Sequence, residues 1–417
     1  MGLAVAGQAK HKAVQVVLGP TINIHRDPRG GRNFESFSED PVLTGQLAAA
    51  LVNGIQSQGV GVCLKHFVCN ECETKRKKYS ANVDDRTLRE IYMAPFLWVV
   101  REAKPTAIMT AYNKLQNTYC SESPYIESVL RQEWSFKGLI MSDWFGMDSR
   151  LPPLEAGLDL EMPAPSKYRG QPLIEDIKSG KVDINLIDKR VLEVLKFVSR
   201  TSEFHSTAAE EAGEEENTNR LTRRLASESL VLLKNEANAL PLNMASKPKI
   251  AVVGQLAAEY SGGGGSAAGT PHYVQRPYDS IKSLHPQPDL VSFSTGVQMN
   301  RSIPLLTPNL MVAENGKPGV DIRYHNDDPE SIVLQEFSPV PLVFMLGKVK
   351  PGLKVSGFTY EMTTSLTPKS SGKHTLAVVA TGAFQLLIDG KEVSLGTGDL
   401  TCADHHRYCL KRSQVLV

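Results

Sequence analysis

The chain has 417 residues, 41% of them hydrophobic and 7% aromatic, enough apolar material for two or three packed domains. Its 46 lysines and arginines balance 45 aspartates and glutamates; the resulting net charge of +1 excludes a polybasic nucleic-acid binder and points to a small or neutral partner. Six cysteines are too few for a disulfide scaffold, and no apolar run reaches the roughly 20 residues that cross a bilayer, so no membrane association is expected.

The N-terminus has neither a basic leader nor a long apolar region. It predicts a cytoplasmic protein, unless an upstream segment carries a secretion signal. Residues 13–200 alternate short apolar runs with amphipathic stretches, the pattern of βα units feeding a parallel sheet. Strands are expected at 14–18, 60–64, 107–111, 139–141 and 158–160. Each ends in polar or special residues: Gly19-Pro20, Lys65-His66, Tyr112-Asn113, Ser142-Asp143-Trp144 and Glu161. In a (β/α) barrel the chemistry sits at the C-terminal strand ends, so these clusters read as a site. Between them, Asp40 before Pro41 starts a helix in which Leu43, Leu47, Ala50, Leu51 and Ile55 recur at helical spacing. A second helix runs through Thr87, Leu88, Ile91, Phe96, Val99 and Val100, with Pro95 as a source of a kink. A third carries Ile187, Val191, Val194, Leu195 and Val198.

Residues 201–220 are rich in glutamate and predict a solvated linker. A helix over 221–233 and a buried strand over 249–254 open a second α/β domain, 221–302. Its glycine run, Gly262-Gly263-Gly264-Gly265-Ser266, is followed by Ala267-Ala268-Gly269 rather than Gly-Lys-Ser/Thr, so nucleotide binding is not expected. From 303 to 417 the texture becomes β-branched, and the strands at 375–380, 384–388 and 391–393, the last two joined by Asp389-Gly390, predict an antiparallel module. Residues 403–413 show neither a strand nor a helix pattern.

The run Gly30-Gly31-Arg32-Asn33-Phe34-Glu35-Ser36-Phe37-Ser38-Glu39-Asp40-Pro41 is followed by Lys65-His66-Phe67, Ala111-Tyr112-Asn113, Ser142-Asp143-Trp144-Phe145-Gly146 and Ala156-Gly157-Leu158-Asp159-Leu160-Glu161-Met162-Pro163. In that order and spacing, these motifs resemble the β-glucosidases of glycoside hydrolase family 3, over residues 1 to about 395. The resemblance implies a partial (β/α)8 TIM-type barrel over 1–200. A partial α/β sandwich domain would follow, carrying an inserted protective-antigen-like (PA14-type) antiparallel β-sandwich at 303–417. It also implies retaining hydrolysis of terminal β-D-glucosyl residues, with β-glucosides and short β-gluco-oligosaccharides as partners and no metal or organic cofactor.

A retaining glycosidase needs two carboxyls about 5–5.5 Å apart, one as nucleophile and one as proton donor. Asp143 ends the strand at 139–141 and matches the family's nucleophile. Arg32, Lys65 and His66 match residues that hold the sugar hydroxyls, read here as cationic donors, while Tyr112 and Trp144 match the pocket wall. Met109 fits either that wall or the core, and Asp159 and Glu161 read as structural hydrogen-bonding residues. Cys63, His66, Cys69 and Cys72 recur at every third position, but a structural zinc site would bring a second distant pair, so no metal is expected. Lys75-Arg76-Lys77-Lys78 reads as a solvated loop near the pocket rim.

Set against the family pattern, the chain is expected to begin inside the helix before Val14, after the first barrel strands and an early sugar-binding Asp, and to stop before the acid/base Glu. Residues 67–86 contain no His, which excludes the family branch that uses one as acid/base. The alternative reading is a non-catalytic glucoside-binding protein.

Overall fold

A computed structural model describes residues 1–201, 216–263, 267, 273–299, 303–343, 345, 349–354, 357–380, 382–397 and the backbone of 413–416. The chain forms two compact units, residues 1–297 and 298–417. The linker expected at 201–220 falls in the range of the first. Its residues 202–215, the stretch 403–412, and Gly264, Gly265, Ser266, Ala268 and Gly269 of the glycine run lie outside the described residues.

The first unit is an α/β structure. Strands β1 (Val16–Val17), β2 (Gly61–Phe67), β3 (Ala107–Thr110) and β4 (Leu139–Met141) pair in that order, all parallel. β3 and β4 are buried along their whole length, as expected of a parallel sheet covered on both faces. The first strand is shorter than expected because the Val14 N–H is drawn to the Ala9 carbonyl at the end of α1 (Gly2–His11), while Pro20 has no N–H to give. The strand expected at 158–160 is reduced to a single parallel bridge, Met141 to Leu160. There the Glu161 carboxylate accepts the backbone N–H groups of Lys167, Tyr168 and Arg169, which folds the chain back and ends the ladder.

The helices follow their caps. The Asp40 carboxylate accepts from Val42 N at 2.7 Å and Leu43 N at 3.0 Å, with Pro41 next, and α2 (Pro41–Gln56) buries Thr44, Ala48, Ala49, Val52 and Ile55. It lies so close to α3 (Ala94–Glu102) that a Cβ on Gly45 would stand 2.9 Å from the Trp98 side chain. The second expected helix is split: Asp85–Thr87 is followed by a wide turn over Leu88–Tyr92, and Pro95 sits in the first turn of α3, where its missing N–H costs nothing. Phe67 packs edge-on against Phe96, ring centroids 5.3 Å apart, which ties sheet to helix. The third expected helix is α4 (Ile184–Thr201).

Downstream, the helix expected at 221–233 is α5 (Glu216–Glu228); Leu230 and Leu233 lie beyond it and are 83% and 92% exposed. β5 (Ile250–Val253) pairs in parallel with β6 (Val291–Ser294), but it is not buried as expected. Among the described residues it has one partner strand, its burial alternates, and Val253 is 67% exposed.

The second unit is antiparallel. β7 (Val320–His325) lies between β8 (Ile332–Ser338) and β9 (Thr359–Thr363), with Val320, Ile322 and Tyr324 buried beside Met311 and Leu353. β10 (Ala383–Ile388) and β11 (Lys391–Thr397) form the expected hairpin, with Asp389 at φ 50° and Gly390 at φ 73°, as a type I′ turn requires. Among the described residues, no helix is long and apolar enough to cross a membrane.

Candidate functional site

The C-terminal ends of the parallel strands converge on one carboxylate. β4 ends at Met141 and the chain turns at Ser142, Asp143 and Trp144; the Trp144 N–H donates to Asp143 Oδ1 at 2.6 Å. The residue is 6% exposed, and its Oδ2 has no hydrogen-bond partner. Beneath it Met109 is 2% exposed, packed with Cys63, Leu139 and Met141 against the partly buried Trp144, so it belongs to the floor of the core.

β2 brings the next two residues. Its register against β3 shifts between Lys65 and Phe67, so His66 occupies a bulge, the irregularity that re-aims side chains at sheet rims. The His66 ring is 1% exposed and its Nε2 lies 3.4 Å from Asp143 Oδ2. Burial, and then the charges of Arg32, Lys65 and Arg76, hold this imidazole well below the usual histidine range, so it is neutral. The expectation of a cationic donor therefore fails for His66. The charge state follows from three neighbouring cations that the sequence alone does not bring together.

Arg32 and Lys65 do carry charge toward the site. Arg32 is gripped from Nε and Nη2 by the two oxygens of Glu35, each at 2.8 Å, and Lys65 Nζ lies 3.7 Å from Glu35 Oε2, which also accepts the Thr21 hydroxyl at 2.9 Å. Burial pushes Glu35 upward, but its hydrogen bonds to Arg32 and the neighbouring cations prevail and hold the carboxylate below its ordinary range. Lys65 is lowered, first by burial and then by Arg32. Glu35 thus fixes both cations, a role the sequence reading missed; its signal was the i,i+3 spacing from Arg32.

Tyr112 follows β3 and hydrogen-bonds through its phenol to Asp143; burial raises the phenol, so it remains a donor. Over its ring lies the Arg76 guanidinium, 4.2 Å from the centroid and paired with Glu73 at 2.6 Å, while Lys77 Nζ donates to the Phe145 carbonyl at 2.7 Å. The basic run 75–78 is therefore not wholly solvated: Arg76 and Lys77 pack onto the site wall. All the expected site residues, Arg32, Lys65, His66, Tyr112 and Trp144, surround Asp143. Its own carboxyl is raised, first by burial, against the opposing charge of Arg32 and the Trp144 N–H. An open cavity of about 360 Å³ is lined by Leu18, Gly19, Thr21, Phe34, Glu35, Lys65 and Ala267 and so shares Glu35 and Lys65 with the site, with Phe34 64% exposed.

Asp159 and Glu161 hold structure, as expected. Asp159 takes Arg131 at 2.6 Å, Arg190 at 2.9 Å and Ile140 N at 2.8 Å. Among the described residues, no group of three or more His, Cys, Asp or Glu side chains is arranged to hold a metal ion.

Residues 1–197 match the sequence model of the glycosyl hydrolase family 3 N terminal domain, and residues 230–410 that of the family's C-terminal domain. A β-glucosidase of Rhizobium radiobacter is 39% identical over 396 residues, covering 94% of this chain and 47% of that protein. A probable β-glucosidase I of Aspergillus niger is 39% identical over 402 residues, 94% of this chain and 48% of that protein. The structure of a β-glucosidase from Kluyveromyces marxianus in complex with glucose aligns with a TM-score of 0.83 at 30% identity, over 100% of this chain and 52% of that one. The chain thus spans about half the length of these relatives.

Proposed function

The chain belongs to glycosyl hydrolase family 3, and on that premise we propose that it acts on terminal β-D-glucosyl residues by a retaining route, with Asp143 as nucleophile. The observation that carries this reading is the Asp143 carboxylate. It is buried at a strand end, its Oδ2 is unpartnered, and Arg32, Lys65 and Tyr112 are directed around it. Relatives named as β-glucosidases, one of them bound to glucose, support the substrate class.

In this account Oδ2 attacks the anomeric carbon as the glycosidic C–O bond breaks, giving a glycosyl–Asp143 ester and a departing alkoxide or phenolate. Water then cleaves the ester, with overall retention. Arg32 and Lys65 hold sugar hydroxyls, Tyr112 donates to the carboxyl that carries the charge, and Trp144 walls the ring. Glu35 and Glu73 suit proton donation poorly, because Glu35 is committed to Arg32 and Glu73 to Arg76, while Glu71, pushed up to about 7 by burial, is engaged by the Ile24 N–H. A dinitrophenyl β-glucoside, whose phenolate leaves without a proton, is therefore the substrate on which the role of Asp143 is read most cleanly.

The test compares that substrate with cellobiose, each with and without azide. The expected result is dinitrophenolate release accelerated by azide and little cellobiose cleavage. General acid catalysis typically contributes about 10² to 10⁴-fold, and unactivated glycosides depend on it most. Brisk cellobiose turnover, insensitive to azide, would refute the assignment of proton donation outside the described carboxylates. No release from either substrate, with a melting transition still raised by glucose, would replace hydrolysis by glucoside binding.

A further inference from the structure

We propose that Asn23 is a positioning residue that fixes His66 as the Nδ1–H tautomer, so that Nε2 turns a lone pair toward Asp143. Three hydrogen bonds leave the Asn23 amide one orientation. Its Nδ2 donates to the His66 carbonyl at 3.0 Å, and its Oδ1 accepts from the His66 backbone N–H at 3.0 Å. A backbone donor and a backbone acceptor on one residue cannot be exchanged by flipping the amide. The Glu71 carboxyl nearby accepts the Ile24 N–H at 3.4 Å. Asn23 is 5% exposed, so water does not compete for these contacts.

The consequence for the ring is direct. His66 Nδ1 lies 3.2 Å from Asn23 Oδ1, an atom that can only accept, so the single ring proton of the neutral imidazole sits on Nδ1. Nε2 then faces Asp143 Oδ2 at 3.4 Å as acceptor against acceptor. That arrangement explains why Oδ2 has no hydrogen-bond partner although a histidine nitrogen stands within reach. A substrate hydroxyl that donates to Nε2 from the open side of the site would satisfy that nitrogen without consuming the Oδ2 lone pair needed for attack. This last step rests on the glycosidase reading; the tautomer does not.

The measurement is long-range proton–nitrogen correlation on the whole chain labelled at its 10 histidines, with the His66 signal identified by its loss in His66→Gln and, independently, by its response to Asn23→Asp. The wild-type ring is expected to show a protonated Nδ1 and a bare Nε2, unchanged from about pH 5.5 to about pH 8, where an ordinary histidine titrates. The groups facing it, Arg32, Lys65 and Arg76 on one side and Asp143 on the other, do not reverse this, because the three cations oppose imidazolium formation. Asn23→Asp is expected to bring protons onto both nitrogens, since a carboxylate beside Nδ1–H favours the charged ring. A protonated Nε2 with a bare Nδ1, or titration of the wild-type signal within that range, overturns the proposal, as does a ring unchanged by Asn23→Asp. Glucoside hydrolysis is assayed on the same samples. The predicted tautomer without hydrolysis refutes the functional reading alone, whereas hydrolysis with the opposite tautomer refutes this inference alone.

Discussion

Replacing Asp143 by asparagine is expected to remove hydrolysis and at the same time stabilise the protein. In the native site Asp143 is 6% exposed, Oδ2 has no hydrogen-bond partner, and His66 Nε2, 3.4 Å from it, offers a lone pair. An asparagine oxygen can keep the 2.6 Å contact from Trp144 N, while its NH₂ takes the place of Oδ2 and donates to Nε2. Arg32 does not lose its anion, because Glu35 holds it with two bonds of 2.8 Å. Relief of a buried unpaired acceptor and gain of one hydrogen bond, less the attraction to Arg32 and Lys65, should be worth about 1–2 kcal/mol. For a unit of this size that is roughly 2–4 °C in melting temperature.

The pH dependence has a definite sign. Burial raises the Asp143 carboxyl, so between the ordinary carboxylate value of about 3.9 and the raised native value the folded state binds the extra proton, and wild-type stability falls as pH rises through that window. The advantage of Asp143→Asn should therefore shrink as pH falls through that window. Parallel thermal melts at neutral and acidic pH, with dinitrophenyl glucoside assays, check both halves. A variant that melts below wild type at neutral pH, or whose advantage grows on acidification, would refute the account of a strained, unpaired nucleophile.

Glu35→Gln should release Arg32 and Lys65 together, lowering the melting temperature and raising KM for glucosides by about tenfold or more, since hydrogen bonds to charged groups contribute about 1.5–3 kcal/mol each; an unchanged KM would show that Glu35 does not set those cations. Asp159→Asn should cost about 3–5 kcal/mol, read by denaturant unfolding, because it strands Arg131 and Arg190 beside a fully buried position. The acid limb of kcat/KM for dinitrophenyl glucoside should lie above the ordinary carboxylate value of about 3.9, in keeping with the raised Asp143; a limb at or below it would contradict the burial argument.

What the sequence disclosed and what it hid divide along physical lines. Strand ends were legible because an apolar run that stops at Lys65-His66 or Ser142-Asp143-Trp144 announces both the strand and the chemistry at its end, and the structure gathers those residues around Asp143. Asp40 with Pro41 marked a helix start through a purely local rule. The residues missed were those acting across distance: Asn23 is 43 positions from the His66 it orients, and the neutrality of His66 arises from burial and three cations drawn from separate segments. The apolar run after α5 read as helix because four adjacent apolar residues carry no period, and the structure leaves Leu230 and Leu233 exposed instead. Likewise Lys75-Arg76-Lys77-Lys78 looked solvated because nothing local shows the Tyr112 ring beneath Arg76.

The central claim is that Asp143 bonds covalently to the sugar. Incubating the chain with a 2-deoxy-2-fluoro-β-glucosyl inactivator bearing a dinitrophenolate leaving group, then digesting it and sequencing the labelled peptide by mass spectrometry, tests this directly. The account predicts one fluoroglucosyl group on Asp143, released when a second nucleophile such as azide is added. A label on any other carboxylate, Glu35 and Glu73 included, would contradict it.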